Sequence, residues 1–471
     1  MSWGDNTVIR KLTDWIAMAT APSSPISPLG VKQEEILEHF FSLLSQFAFD
    51  KAKELVEKER DAHKATFGSY WALMVHCLIQ FASAEKSYMS LTFLEQKWFA
   101  RSKDSLRQAY QVLVQEFHKV EEGVRQQELV GIRLPGPTVE FEKLLSHLCG
   151  QVCQFLTARQ KTMDFYEQMS TMGTNKNLNY DDLVAVITEI TQTHSKTFHH
   201  PLLSSLKNCF SLECEVINHL LSAQIQMSVW QFFPSIIQLH QAHTKLISWG
   251  ASAQARESKK SAFGGSKTVI WPALYQWLLK FKCLLVSKFS LYFYDVLAKQ
   301  TVPNEMKILT AKSTEDFVTR IISFQKKTDA SNISLVLCTH GMEEGYTKPG
   351  YLHPGRQPNS PTGLDSYPAI FSYPGEHPVS HWPTVVMMIN DRNTEFLIQE
   401  KVHYIYDKSK GSTYYLTKLD SRITLIVIFE TKKAEKDSYV NNFMLELSSQ
   451  IRGVKLFSSF KPGARGAMSR R

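Results

Sequence analysis

Four histidines, His340, His353, His377 and His381, share one stretch rich in proline and glycine, with Cys338 just before it. Imidazole and thiolate groups are zinc ligands, and zinc with an open position performs hydrolysis. The spacings match no compact metal motif, and His353 and His377 each precede a proline. Loop histidines without a metal fit that spacing better. Cys338 and His340 would share one face of an extended strand, as a thiol nucleophile and its base do. No third group is identifiable, so a buried cysteine is the simpler reading. His240 and His243 lie three apart within a helical pattern, with no nearby carboxylate to complete a site. His199-His200-Pro201 most simply shapes a helix junction.

Other reactive constellations fail on spacing. Gly264-Gly-Ser-Lys-Thr268 resembles a phosphate loop only superficially, because Ser266 separates Gly265 from Lys267 and no strand precedes it. There is no Gly-x-Ser-x-Gly elbow and no Gly-x-Gly-x-x-Gly fingerprint. The seven cysteines form no Cys-x-x-Cys pair. Free thiols in a reducing compartment are expected, with Cys149 and Cys153 packed on one helix face. No catalytic residue, metal or cofactor is expected.

The elements that would position these residues are mostly helices. Ile36, Leu37, Phe40, Phe41, Leu44 and Phe47 make one apolar stripe, and Asp50 can cap the next segment. Tyr70 to Phe99 is strongly apolar. Ser102 can cap a helix whose Leu106, Tyr110, Leu113, Phe117 and Val120 repeat at bundle spacing. Gly123 to Pro137 reads as a loop. Thr138 and Asn179 can cap the next two helices. Long helices follow from Ser204 to Trp230 and from near Pro234. Gly250 to Ser266, rich in Ser, Gly and charge, reads as a loop. Helix resumes from Trp271 to Gln300 and from Thr314 to Lys327.

The hydrophobic period then changes. Ile333 to Cys338 reads as a strand, and Ala369 to Tyr373 is the one candidate strand inside the Pro/Gly stretch, His340 to Pro383. Thr384–Ile389, Val402–Tyr406, Ser412–Leu416 and Ile423–Phe429 are rich in β-branched and aromatic residues and read as one sheet. A terminal helix spans Lys436 to Arg452. The expected fold is mainly α: a long-helix bundle over 31–312, then an α/β domain of the roadblock or longin kind over 313–460. Residues 1–30 read as a flexible appendage and 461–471 as a basic tail. The roadblock comparison rests on element order alone, and fold does not fix function.

Composition is that of an ordinary globular chain: 43% hydrophobic residues and a net charge of +8 over 471 residues. The N-terminus lacks the pattern of a secretory signal, and Cys283 to Tyr294 is too short and too charged to span a bilayer. A soluble, cytosolic protein is expected. Charge is uneven: between Arg256 and Lys288 seven basic residues stand against Glu257 alone. Arg256, Lys259, Lys260 and Lys267 are the candidate contact residues for an acidic partner or an anionic membrane; a solvated face is the plainer alternative. Aromatic residues do not interleave with these cations, so no nucleic-acid partner is expected.

The chain resembles the KICSTOR complex subunit two family. The matching stretches include Asp50-Lys-Ala-Lys-Glu54, Ala84-Glu-Lys-Ser-Tyr-Met-Ser-Leu-Thr-Phe93 and Arg101-Ser-Lys-Asp-Ser-Leu-Arg107. Phe198-His-His-Pro201, Trp249-Gly250, Phe263-Gly-Gly265, His381-Trp-Pro383, Val427-Ile-Phe-Glu430 and Lys461-Pro-Gly-Ala464 continue it in order. Each motif alone is weak; their ordered recurrence from Val31 to Gly466 is specific. The resemblance implies a non-enzymatic scaffold. With the other KICSTOR subunits, such a protein helps bring the GATOR GTPase-activating complex to the lysosomal surface. Rag GTPases, and so mTOR complex 1, are then inhibited when amino acids or glucose are scarce. The implied location is cytoplasmic, peripheral at the lysosomal membrane, with self-association left open. Two other classes stand beside it: a peripheral anionic-lipid-binding adaptor, and a metal-dependent hydrolase using the histidine-rich loop.

Overall fold

The computed structural model describes residues 28–62, 70–94, 105–129, 137–171, 179–261, 270–302, 305, 315–342, 345–353, 361–391 and 401–460. The chain is mainly helical, with one small antiparallel sheet near its C-terminal end. The helices are α1 (Pro28–Ser45), α2 (Phe49–Ala62), α3 (Tyr70–Met89), α4 (Leu106–Leu129), α5 (Pro137–Ser170), α6 (Tyr180–His194), α7 (Ser204–Ser228), α8 (Phe232–Ser261), α9 (Ala273–Tyr292) and α10 (Tyr294–Gln300). Each of α1 to α8 packs on its neighbour in sequence, and α9 lies across α3, α7 and α8. The α4 seam buries Tyr110, Leu113, Phe117 and Val120 as its spacing demands.

Local chemistry sets several boundaries. The Asn179 side chain accepts the Asp181 N–H, and so caps α6. Pro28, inside the stretch read as a flexible appendage, instead opens α1, where its missing N–H costs nothing. Asp50 does not cap α2. It lies inside the first turn, and its carboxylate meets Lys86 Nζ at 2.7 Å. Ser102 lies outside the described residues; at the start of α4, Ser105 Oγ accepts the Gln108 N–H. Likewise residues 1–27, Gly68 and the tail from 461 on are not described.

Two expected loops are helical. α4 runs through Gly123 to Leu129, because Val124 continues the buried stripe one turn beyond Val120. α8 runs through Gly250 to Ser261. Gly250 is there for close approach: a Cβ at this position would lie 2.6 Å from Tyr275 Oη and 2.8 Å from the Trp271 ring. A glycine read as a breaker is thus the crossing point of α8 and α9.

The C-terminal part contains α11 (Phe317–Lys327), β1 (Asn332–Leu337), β2 (Ala369–Tyr373), α12 (Trp382–Asp391), β3 (His403–Asp407), β4 (Ser412–Lys418), β5 (Ile423–Phe429), α13 (Ser438–Ile451) and α14 (Val454–Ser458). Asp316 and Asp437 cap α11 and α13. The strands lie in the order β2-β1-β5-β4-β3, all antiparallel, with Leu335 opposite Leu425 in the central pair. Thr384–Ile389, expected as a strand, is helix. A short apolar run does not declare its period. Here Trp382, Val385, Val386 and Ile389 are buried at helical spacing while Met387 faces out. They pack on Val336, Leu416, Ile426 and Ile428 of one sheet face. The other face, with Leu335, Leu425 and Val427, joins the core that runs on into the helical body.

Candidate functional site

The four loop histidines do not converge. The His340 ring meets the Tyr367 ring edge-on at 5.3 Å, and that of His377 packs on Trp382 at 4.3 Å. His353 is exposed. His381 is buried, with Nδ1 2.6 Å from Tyr414 Oη. Burial, with Lys410 nearby, lowers its affinity for a proton. Among the described residues no group of three His, Cys, Asp or Glu side chains is placed to hold a metal ion. His200 Nδ1 accepts the Leu202 N–H and caps the turn Pro201–Leu203, while His240 and His243 are exposed on α8. Cys149 and Cys153 are both buried on α5, and burial pushes the Cys153 thiol up to about 12, away from reactivity.

Of the candidate contact residues, Arg256, Lys259 and Lys260 belong to the last turns of α8 rather than to a loop. Lys267 lies outside the described residues.

Two buried polar networks went unmarked in the sequence. In the helical body, Arg159 of α5 lies between Glu85 of α3 and Glu213 of α7. Its Nε reaches Glu85 Oε2 at 3.2 Å and its Nη1 reaches Glu213 Oε2 at 2.6 Å. Tyr110 donates to Glu85, and Tyr88 and Tyr166 donate to Glu213. The guanidinium also sits 4.3 Å above the Tyr88 ring. All three charged side chains are at most 2% exposed. One cation faces two carboxylates in a dry core. Burial therefore outweighs Arg159 at Glu85 and raises its carboxyl above the usual range. Three helices are held in one register by this arrangement.

The second network joins the helical body to the sheet. Lys288 of α9 donates to Gln224 of α7 at 2.9 Å and meets Asp420, in the turn between β4 and β5, at 2.5 Å. Tyr292 Oη donates to the same carboxylate. Burial disfavours the Asp420 charge, but Lys288 overcomes it and holds the carboxyl below its ordinary range.

Beside that junction lies a groove of about 300 Å³. Its walls come from the α7–α8 corner, the α9–α10 junction, the segment 345–353 and β2. Trp230, in the corner, has a φ of +63°, a left-handed conformation that costs a bulky residue of order 1–3 kcal/mol. What holds it is plain. Its indole N–H donates to the Thr347 carbonyl at 3.0 Å, and its ring lies 4.6 Å from that of Phe293. The Phe232 N–H donates to the Gly350 carbonyl at 2.8 Å. Gly350 has φ +74°, and a Cβ there would strike Phe293 at 2.7 Å. Segment 345–353 is thus strapped against the helical corner, and only glycine lets it come so close. Trp230, Phe293, Tyr346 and Tyr351 give the groove an aromatic lining, with Asp295, Lys299 and Lys348 at its exposed rim. Outside it, Phe233 and Ile237 on α8 and Leu352 on the strap are each about half exposed, at 50%, 54% and 50%. Strain, aromatic lining and uncovered apolar surface together mark this corner as a place for contact. It offers no nucleophile paired with a base.

Comparison with known proteins agrees with the residue-level resemblance. The model of the family described as KICSTOR complex C12orf66 like matches residues 26–465. KICSTOR subunit 2 of Xenopus laevis is 42% identical over 449 residues, covering 94% of this chain and 99% of that protein. KICSTOR subunit 2 of Danio rerio is 42% identical over 445 residues, covering 92% and 97%. A match of this length spans helical body and sheet alike, so the chain belongs to the KICSTOR complex C12orf66-like family.

Proposed function

We propose that the protein is a non-enzymatic scaffold subunit of the KICSTOR complex. The observation that carries this is the nearly end-to-end match to two proteins named KICSTOR subunit 2. Within the complex it helps recruit the GATOR GTPase-activating complex to lysosomes, and so restrains mTOR complex 1 when amino acids or glucose run short. It acts at the cytoplasmic side, peripheral at the lysosomal membrane, through its partners. No helix of the described residues is long and apolar enough to cross a membrane.

The geometry supports a scaffold in two ways. Buried charge networks lock helices and sheet into one arrangement, which suits a protein that presents surfaces. The C-terminal order of helix, two strands, helix, three strands and helix, with strands placed 2-1-5-4-3, supports a roadblock/longin-like domain. The basic end of α8, with Arg256, Lys259 and Lys260, together with Lys267, serves as a contact for an acidic partner.

The test is loss of the gene in cells. Without the protein, mTOR complex 1 should stay active through amino-acid withdrawal, and the GATOR complex should leave lysosomes. Normal shut-off with GATOR still at lysosomes would overturn the proposal.

A further inference from the structure

The groove beside Trp230 has room for one large side chain and no more. Its volume of about 300 Å³ is at the bottom of the range for small-molecule sites. A ligand filling it would leave Phe233, Ile237 and Leu352 in water. The ring of Phe233 lies 4.7 Å from that of Tyr351, which lines the groove, so this apolar strip begins at the groove's edge. Phe233 and Ile237 are four apart on α8 and share a face. An extended chain, with one side chain in the groove and the next residues along the strip, would cover both together.

Charge decides the kind of chain. Lys299 and Lys348 stand exposed at the rim, and neither makes an ion pair within the described residues. The one acid lining the groove is Asp295, which is also exposed. An aromatic side chain would find stacking partners in Trp230, Phe293 and Tyr346. Acidic neighbours on either side of it would meet the two lysines.

We propose that this corner receives a short extended segment of a partner protein, in which one aromatic residue is flanked by acidic residues. The aromatic ring enters the groove, the acids pair with Lys299 and Lys348, and the chain beyond lies over Phe233 and Ile237. This rests on the scaffold reading and names one of the surfaces it requires. The corner is preformed. The Trp230 and Phe232 hydrogen bonds to segment 345–353 fix the walls before any partner arrives, which reduces the ordering cost of binding.

The test uses the purified full chain and a fluorescein-labelled synthetic peptide with one phenylalanine amid aspartates and glutamates. Fluorescence polarisation reads binding at low salt. Control peptides replace the phenylalanine by alanine, or the acids by their amides; each should bind at least roughly tenfold more weakly, since every ~1.4 kcal/mol is a factor of ten. The double variant K299E/K348E changes only exposed positions, and circular dichroism should show it folded. It should lose the acidic peptide at least about tenfold and gain affinity for the peptide with lysines in place of the acids. Phe233→Ser should weaken binding without altering this charge preference. Equal binding of all three acidic or control peptides, or unchanged binding by K299E/K348E, overturns the inference. So does light scattering that shows a wild-type dimer and a monomeric double variant, because the occupant is then a second copy of this chain. Co-purification of other KICSTOR subunits is scored separately, so loss of that result counts against the scaffold role and not against the peptide site.

Discussion

Lys288 Nζ lies 2.5 Å from Asp420 Oδ2, with the lysine 2% exposed and the aspartate 15%. One ion pair thus joins α9 of the helical body to the turn between β4 and β5 of the sheet. Removing one partner of a buried pair leaves the other charge stranded, at a cost of about 3–5 kcal/mol. Asp420→Asn and Lys288→Met should each lower stability by that order in urea unfolding. The double variant should cost much less than the two losses together. Strict additivity would show that the two charges do not stabilise each other.

The Glu85–Arg159–Glu213 cluster gives an unequal pair of outcomes. Arg159→Met strands two carboxylates among apolar residues and should cost at least about 3–5 kcal/mol. Glu85→Gln should be much milder. Burial already pushes the Glu85 carboxyl toward its neutral form, which the amide resembles. Thermal melts of both variants read the difference. An Arg159→Met protein as stable as Glu85→Gln would contradict the account of this network.

Neither network could be read from the chain. Glu85 and Arg159 are 74 residues apart and Arg159 and Glu213 are 54 apart, so no local spacing relates them. Each sits on an apolar helix face as a lone charge, which patterning treats as noise. The features that were legible are local ones. The α4 seam, the cap at Asn179, and the strands at 333, 403, 412 and 423 follow from period or from a side chain that satisfies a nearby N–H group. Thr384–Ile389 failed because a run of five apolar residues after Thr384 fits a buried strand as well as a buried helix. Gly250 failed because the partner that requires its missing Cβ, Tyr275, stands 25 residues on. The Trp230 groove had no signal for a similar reason. Its walls come from four separate parts of the chain, and no short motif contains them.

His381 makes stability depend on pH in a stated direction. Its proton affinity is lowered in the folded protein, first by burial and then by Lys410. The unfolded chain then binds more protons, so stability is complete above about pH 6.5 and falls as pH drops below that value. His194 and His200 are shifted in the same direction by burial and add to the effect. Denaturant midpoints should fall between pH 7 and pH 5, and His381→Gln should reduce that slope. An unchanged slope in the variant would show that His381 does not contribute.

Charge reversal at Arg256, Lys259 and Lys260 of α8, and at Lys267 beyond it in sequence, tests the basic contact. Replacing Arg256, Lys259, Lys260 and Lys267 by Glu alters local charge by about eight units and touches no position that the apolar pattern reads as core; substitutions away from a core usually leave stability within about 0.5 kcal/mol. The variant should remain folded and lose an association that weakens with salt in the wild type. A folded variant that still assembles and still reaches lysosomes would leave these side chains as a solvated face.

The central claim is membership of a multi-subunit scaffold, and one measurement meets it directly. The full chain, tagged at its endogenous level, is purified from nutrient-starved cells, and the bound proteins are identified and quantified by mass spectrometry. The other KICSTOR subunits should be recovered in near-equal amounts with the tagged chain, with GATOR subunits alongside them. Recovery of the chain alone, or with partners that include no KICSTOR subunit, would contradict the account.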